Sequence, residues 1–293
     1  MIIVAYSLIL ILVLNPYFYS VKGSSNSDIK TGKILVLCDK SPRTLCDRNG
    51  IAYQDYGAEI GIQLNPLRTA SKALDYYMDY LESGNETARK LLLNVANWIV
   101  NNSKNYGNYS LLKYEFPYHD YKLEPGWHSA IAQGRAIEAL ISAHNITNDE
   151  RYVDTAKMLL NSFFIEVKVG GVTHKSKDNG WWYEEYPSRN EGAQNPRVLN
   201  GMMATLLSIH KYFEYTRDPD AKQLFDKGII ALENNLPQYD NNGYSYYDIL
   251  GNDAKPNYHQ LHIEYLGFLY DITGKPIFKK YHGMWAEWKE KEK

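Results

Sequence analysis

Four short polar stretches, ESGNE, NITND, TRDPD and ITGKP, each divide two segments whose apolar residues recur with the 3.6-residue period of an α-helix. A break of a few residues rich in Gly, Asn, Asp or Pro stops one helix and turns the next back alongside it. The periodicity predicts helices over 66–83, 86–102, 127–144, 150–164, 196–216, 219–235, 258–273 and 275–290, paired into four antiparallel hairpins. Hairpins repeated in this way close around a central cavity. The expected fold class is therefore mainly α, an (α/α) toroid of about four helix hairpins.

Three longer links, 103–126, 165–195 and 236–257, interrupt the pattern and carry aromatic and charged residues. Long links in a compact domain are functional or disordered, and these are too aromatic for disorder. Within them GGVTHK, GWWYEEYP and NGYSYYDI read as short β-strands ending on one mouth of the ring. Residues 61–293 form the helical domain. Residues 24–60 read as a short irregular or β segment with one strand at 34–37. Residues 1–23 are apolar from Ile2 to Leu14, which predicts a signal peptide or a membrane anchor. The protein is accordingly expected to be exported or membrane-anchored, with membrane association through the N-terminus in the second case. Cys38 and Cys46 are either a short disulfide loop or two free thiols.

Composition narrows the partners. The net charge of −2 argues against nucleic acid and against heavy dependence on a highly sulfated polyanion. Tyrosine is over-used, 26 residues against 8 phenylalanines, and offers a flat face and a hydroxyl together, as a sugar cleft requires. No phosphate loop and no cluster of metal ligands stands out, so neither a cofactor nor a metal is expected.

Four segments carry the chemistry. PGWHSAIAQGRAIEAL offers Trp127, Gln133 and Arg135 at the start of a helix. WWYEEYP sets Glu184 and Glu185 among Trp182 and Tyr186, with Glu184 read as a solvated strand residue. NPRVLNGMM puts Arg197 and Asn200 three apart, on one helix face. NGYSYYDI supplies Tyr247 and Asp248, and NYHQLHIEYLGFLYDITGKP aligns Tyr258, His262 and Tyr265 in one stripe. Each feature alone also reads as ordinary packing or a surface contact. Their joint position on helix ends and links is what points to a site.

Taken in order, GWHSAIAQGRAI, WWYEEYP, RVLNG, YYD and NYHQLHI with ITGKPIFKKYHGMWAEW resemble the C-terminal domain of the D-glucuronyl C5-epimerases, from about residue 60 onward. The resemblance implies an isomerase of (α/α) toroidal fold. Such enzymes invert C5 of hexuronic acid residues, D-glucuronate to L-iduronate, in a polysaccharide of the heparan sulfate type. That chemistry needs acid and base groups on both faces of the ring and donors for the carboxylate as charge develops. By resemblance, Glu185 and Tyr186 serve one face, Tyr258 the other, and Tyr247 orients or relays the proton. Trp127, Gln133, Arg135, Trp182, Arg197, Asn200 and His262 are the expected substrate contacts. Since neighbours on a regular strand point to opposite faces, Glu185 and Tyr186 share a site only if the segment bends.

Two departures from the family stand out. Leu250 occupies the place of an arginine expected to meet substrate charge, a loss that Arg135 or Arg197 would have to offset. The β-rich domains that precede the helical one in larger members are reduced here to about 60 residues, which leaves both a homodimer and a monomer open. Three alternatives share the residues. A polysaccharide lyase starts with the same C5 proton abstraction. A glycoside hydrolase would need two carboxylates about 5–10 Å apart, with Asp248 as one of them. A noncatalytic glycan-binding protein would keep the cleft without turnover.

Overall fold

The computed structural model describes residues 26–28, 33–38, 41–188 and 195–291. The apolar segment 1–23 lies outside them, and no described helix is long and apolar enough to cross a membrane. Five short strands come first: β1 (Asn26–Asp28), β2 (Lys33–Leu37), β3 (Thr44–Cys46), β4 (Ala52–Asp55) and β5 (Ile62–Leu64). They form an antiparallel meander in chain order, where the sequence had suggested one strand at 34–37. Cys38 and Cys46 are joined by a disulfide across the β2–β3 turn.

Eight helices follow: α1 (Pro66–Ser83), α2 (Glu86–Asn102), α3 (Ala130–Thr147), α4 (Glu150–Asn161), α5 (Leu199–Thr216), α6 (Pro219–Asn235), α7 (Pro256–Thr273) and α8 (Pro276–Lys291). Their hairpins have a common local cause. Gly84, Asn148, Arg217 and Gly274, just past α1, α3, α5 and α7, adopt left-handed backbone with φ of 69°, 55°, 59° and 66°. A left-handed residue at this position ends a helix by capping its last carbonyls. In three of the four hairpins the next residue, Asn85, Asp149 or Asp218, caps the following helix through its side chain. Stop and start are thus compressed into two residues, and each pair must fold back.

The odd-numbered helices are the inner ones and pack in the series α1–α3–α5–α7, each with its even-numbered partner outside. Burial follows the layer. In α3 and α5 nearly every residue up to Ala143 and Ile209 is buried, whereas α1 and α2 bury one stripe. Gly134 lets α3 approach α5 closely, since a Cβ there would sit 3.0 Å from that of Ser208. α7 and α1 do not pack side by side as the other inner neighbours do, so the four hairpins form an arc with one open flank. The sheet is tied to α1 by Thr69, whose hydroxyl bonds the backbone N–H and C=O of Ala52 at 3.0 and 3.2 Å.

The long links fold as two-stranded ribbons: β6 (Lys104–Asn105) with β7 (Ser110–Leu111), β8 (Thr173–Lys175) with β9 (Trp181–Tyr183), and β10 (Asp240–Asn241) with β11 (Tyr244–Ser245). Two helix starts fall later in the chain than the periodicity suggested. Trp127 is held extended by a bridge to Tyr114, so α3 begins at Ala130. Arg197 has φ 47°, so α5 begins at Leu199, and Arg197 and Asn200 do not share a helix face.

Candidate active site

The N-terminal ends of the inner helices gather on one side of the arc, and the links converge there. A small pocket of about 70 Å³ lies at this mouth. Its wall is drawn from several separate parts of the chain ahead of α5. Tyr56 follows β4, Asn65 and Leu67 open α1, Tyr114 and Tyr118 come from the link 103–126, and Trp127 and Ser129 precede α3. Glu185 and Tyr186, just beyond β9, complete it.

The aromatic wall is a continuous stack. Trp127 lies parallel to Tyr114 with ring centroids 3.8 Å apart and donates from Nε1 to the Phe116 carbonyl at 2.9 Å. Tyr186 stacks on Tyr121 at 4.6 Å and Tyr118 at 5.2 Å. Parallel rings with hydroxyls at their edges give a sugar both a flat face and hydrogen-bonding partners.

The chain bends immediately after β9, which settles how consecutive residues are directed. The backbone of Glu184 is fixed on both sides: its N–H donates to Val172 O at 2.7 Å and its C=O accepts from Ala130 N at 2.9 Å. Its side chain points away from the pocket and is fully buried, a correction to the solvated residue expected from sequence. One oxygen accepts from the Arg197 N–H at 3.1 Å, and His174 Nε2 lies 3.6 Å from the other. Burial outweighs the attraction of Arg197 and pushes this carboxyl up to about 8.

Glu185 turns the other way, and Tyr186 joins it through the bend. Oε2 of Glu185 is buried against Gly201 in the first turn of α5, where a Cβ would come within 2.3 Å of it. Among the described residues that oxygen has no hydrogen-bond partner, and neither have Ser129 Oγ in the pocket wall nor Asn200 Oδ1 beside Gly201. Burial raises the Glu185 carboxyl to about 7, while the Tyr186 hydroxyl, within hydrogen-bonding reach, and the Arg68 guanidinium both act to lower it.

Tyr247 and Tyr258 join from the far side. Their rings lie 4.9 Å apart, and the Tyr247 hydroxyl is within hydrogen-bonding reach of Tyr186. The phenols of Tyr186, Tyr247 and Tyr258 are all raised above the usual tyrosine value, first by burial and then by the neighbouring charge, of Glu185 in each case. Asp248 beside them is fully buried and committed to its own turn. It accepts from the backbone N–H groups of Leu250 and Asn252, from the Asn252 side chain at 2.8 Å, and from the Tyr121 hydroxyl at 3.2 Å.

The expected substrate contacts fare differently. Trp127 lines the pocket, and Asn200 lies beside Gly201. Gln133 is fully buried, with its amide bonded to Leu112 N and O and to Ser129 O, so it braces the link 103–126 in place of touching a substrate. Trp182 is 2% exposed and stacks on Tyr239 in the core. His262 is fully buried and bonded to Ser245 Oγ at 2.7 Å, and burial lowers it to about 3, which keeps it neutral. Arg135 pairs with the buried Glu138 at 2.9 Å. Arg197 reaches Asn235 at 3.3 Å, behind Glu184. Tyr56, Tyr114 and Tyr118 were not singled out from sequence, although the aromatic content of the link 103–126 was the signal for two of them.

The fold has known counterparts. A cellobiose 2-epimerase from Bacillus thermoamylovorans B4167 superposes with a TM-score of 0.61 over 78% of this chain and 60% of that one, at 10% identity. A sugar epimerase from a ruminal bacterium gives 0.60 over 82% and 64%, at 15% identity. At such identities the likeness speaks for the (α/α) toroid alone. In sequence, an uncharacterized protein of Methanocaldococcus jannaschii is 35% identical over 179 residues, 60% of this chain and 56% of that protein. The D-glucuronyl C5-epimerase of Caenorhabditis elegans is 30% identical over 210 residues, 65% of this chain and 33% of the enzyme. The chain thus spans little more than half of one curated relative and a third of the other. Residues 104–287, which hold all but the sheet and the first hairpin, match the family described as D-glucuronyl C5-epimerase C-terminus. The ribbons, the bend at Glu185 and every tyrosine of the mouth except Tyr56 fall inside that match, and the chain belongs to this family.

Proposed function

We propose that the protein is an epimerase that inverts C5 of hexuronic acid residues, of the D-glucuronate to L-iduronate type, within a polysaccharide. One observation carries the reading: a carboxylate and three tyrosines, Glu185, Tyr186, Tyr247 and Tyr258, form a continuous series at the mouth of the arc. The C5–H bond lies α to a carboxylate and yields its proton only to a base held next to it. With every phenol in the series raised, a free phenolate is out of reach near neutral pH. The group poised to ionise there is Glu185, at about 7.

The proton leaves C5 toward the Glu185 carboxylate, directly or as Tyr186 takes it and passes its own to Glu185. The C5–H electron pair moves into the C5–C6 bond and gives an aci-carboxylate. Tyr258, still protonated, donates to C5 from the opposite face. As it does so it takes up the proton that Glu185 passes on through Tyr186 and Tyr247, so no free phenolate forms and the site returns to its starting state. Asp248 is committed to its own turn, which removes the second carboxylate that a hydrolase would use.

The test is proton exchange. Unsulfated glucuronate polymers are incubated with the protein in D₂O and C5–H is followed by NMR. Loss of that signal with a new iduronate-type signal and no unsaturated ends supports the epimerase. Exchange accompanied by unsaturated ends would make the protein a lyase, and binding without exchange a glycan-binding protein.

A further inference from the structure

Inversion through an aci-carboxylate needs a cation for the substrate's carboxyl group, because Glu185 is itself an anion when it acts. Leu250, in the place where an arginine was expected, cannot supply one. Arg135 is engaged by Glu138, and Arg197 lies behind Glu184. Arg68 remains. It stands in the first turn of α1, one residue beyond the pocket-lining Leu67, with its N–H held by the Asn65 side chain at 2.9 Å. Its side chain is exposed and makes no ion pair or hydrogen bond among the described residues. The guanidinium acts electrostatically on Glu185, Tyr56 and Tyr114, which line the pocket from three separate parts of the chain, and on Tyr258.

Local stability does not explain this cation. The N-terminus of a helix carries the positive end of its dipole and disfavours a cation there. The first turn of α1 holds no acidic residue to offset it. An arginine kept in such a place, beside a pocket and with no ion pair among the described residues, is suited to an anion that arrives with a ligand.

We infer that Arg68 binds the carboxylate of the hexuronate in the pocket, doing from α1 what the absent arginine at position 250 would have done from the link before α7. This rests on the proposed uronate substrate. It differs from that reading in naming a residue that neither the family resemblance nor the sequence motifs had offered.

The test is calorimetric binding of an unsulfated glucuronate oligosaccharide and of its carboxyl-reduced counterpart to the full chain. A charge-assisted bidentate contact corresponds to a preference of about tenfold to a hundredfold for the carboxylate. Arg68→Gln removes that preference and leaves affinity for the reduced sugar unchanged. Arg68→Lys retains part of it, because the charge stays but the planar fork is lost. Thermal melting of both variants stays at the wild-type value, since the side chain makes no ion pair or hydrogen bond among the described residues. A preference undiminished in Arg68→Gln, or absent in the wild type, overturns the assignment. The two readings fail separately. C5 exchange by the wild type with the preference intact in Arg68→Gln sinks Arg68 alone. Loss of the preference in Arg68→Gln with no C5 exchange by the wild type sinks the epimerase and keeps Arg68.

Discussion

Replacing Gly201 by alanine should cripple the site while leaving the fold standing. A Cβ at this position would lie 2.3 Å from Glu185 Oε2, 2.9 Å from Glu185 Cβ and 3.2 Å from Cδ. An ordinary van der Waals contact is about 3.5 Å, so the carboxylate oxygen must move by about 1 Å. Rotating the carboxylate away does not suffice, because Glu185 Cβ is crowded too and the bend after β9 must shift with it. Misplacement of a catalytic group by about 1 Å lowers a rate by about a hundredfold. Stability changes less. Alanine in a helix gains about 1 kcal/mol over glycine, and overpacking of a filled site costs about 1–3 kcal/mol. The net loss of up to about 2 kcal/mol lowers Tm by several degrees at most in a chain of this size. The assay is C5 deuterium incorporation followed by NMR, with melting measured in parallel. Gly283→Ala is the control, since nothing lies within 4 Å of its Cβ, and it should keep the wild-type rate. Wild-type exchange by a folded Gly201→Ala protein would refute the placement of Glu185 at the reacting carbon.

Other outcomes follow from the same geometry. Tyr186→Phe removes the hydroxyl between Glu185 and Tyr247 but keeps the ring stacked on Tyr121. Turnover should fall by about 10²–10⁴-fold with oligosaccharide affinity retained in titration calorimetry. The pH profile of kcat/KM should show an acid limb near pH 7, activity rising as Glu185 ionises; a limb near 4.5 would assign the base elsewhere. Folding stability runs the opposite way. Glu184 and Glu185 are raised above their unfolded value of 4.5, so their contribution is complete below about pH 4.5 and is lost as pH rises through about 7 and about 8. Glu184→Gln should flatten that decline, as read by urea unfolding at pH 6 and pH 9. Gln133→Ala leaves the N–H and C=O of the buried Leu112 without their side-chain partner, and should lower stability by about 1–3 kcal/mol in the same experiment.

The hairpins were legible because their signals are local. A Gly or Asn able to take left-handed backbone, followed by an Asn or Asp able to cap, is written in adjacent letters, and Arg217 shows that the position matters even where the residue type is less suited. Helix starts were less legible where tertiary contacts set them. The bridge that holds Trp127 extended comes from Tyr114, thirteen positions away and invisible to periodicity. The candidate catalytic group came from resemblance, with no periodic pattern to mark it, and its members do meet at one mouth. Among the expected binding residues, Gln133 and His262 turned out to be fully buried, because a residue able to bond a sugar is equally able to bond a backbone. Glu184 misled for a related reason: two adjacent carboxylates look alike in sequence, and only the bend decides which one is turned into the core. Arg68 carried a faint signal, a cation in a helix's first turn with no acidic neighbour, which has meaning only once the pocket beside it is known.

The gathering of inner-helix starts bears on how a protein of small net negative charge would receive the acidic polymer proposed for it. Asn65, Ser129, Gly201 and Tyr258 lie at the beginnings of α1, α3, α5 and α7, so the positive ends of four helix dipoles face one region. Each is equivalent to about half a positive elementary charge, together about two. That field belongs to the backbone and does not appear in the formal charge of −2. It decays within a turn and is weakened by salt. On the proposed function a carboxylate would thus be drawn in only at contact range, with little long-range attraction to hold the polymer afterwards. Capture of this kind should depend far less on ionic strength than binding to a lysine-rich groove.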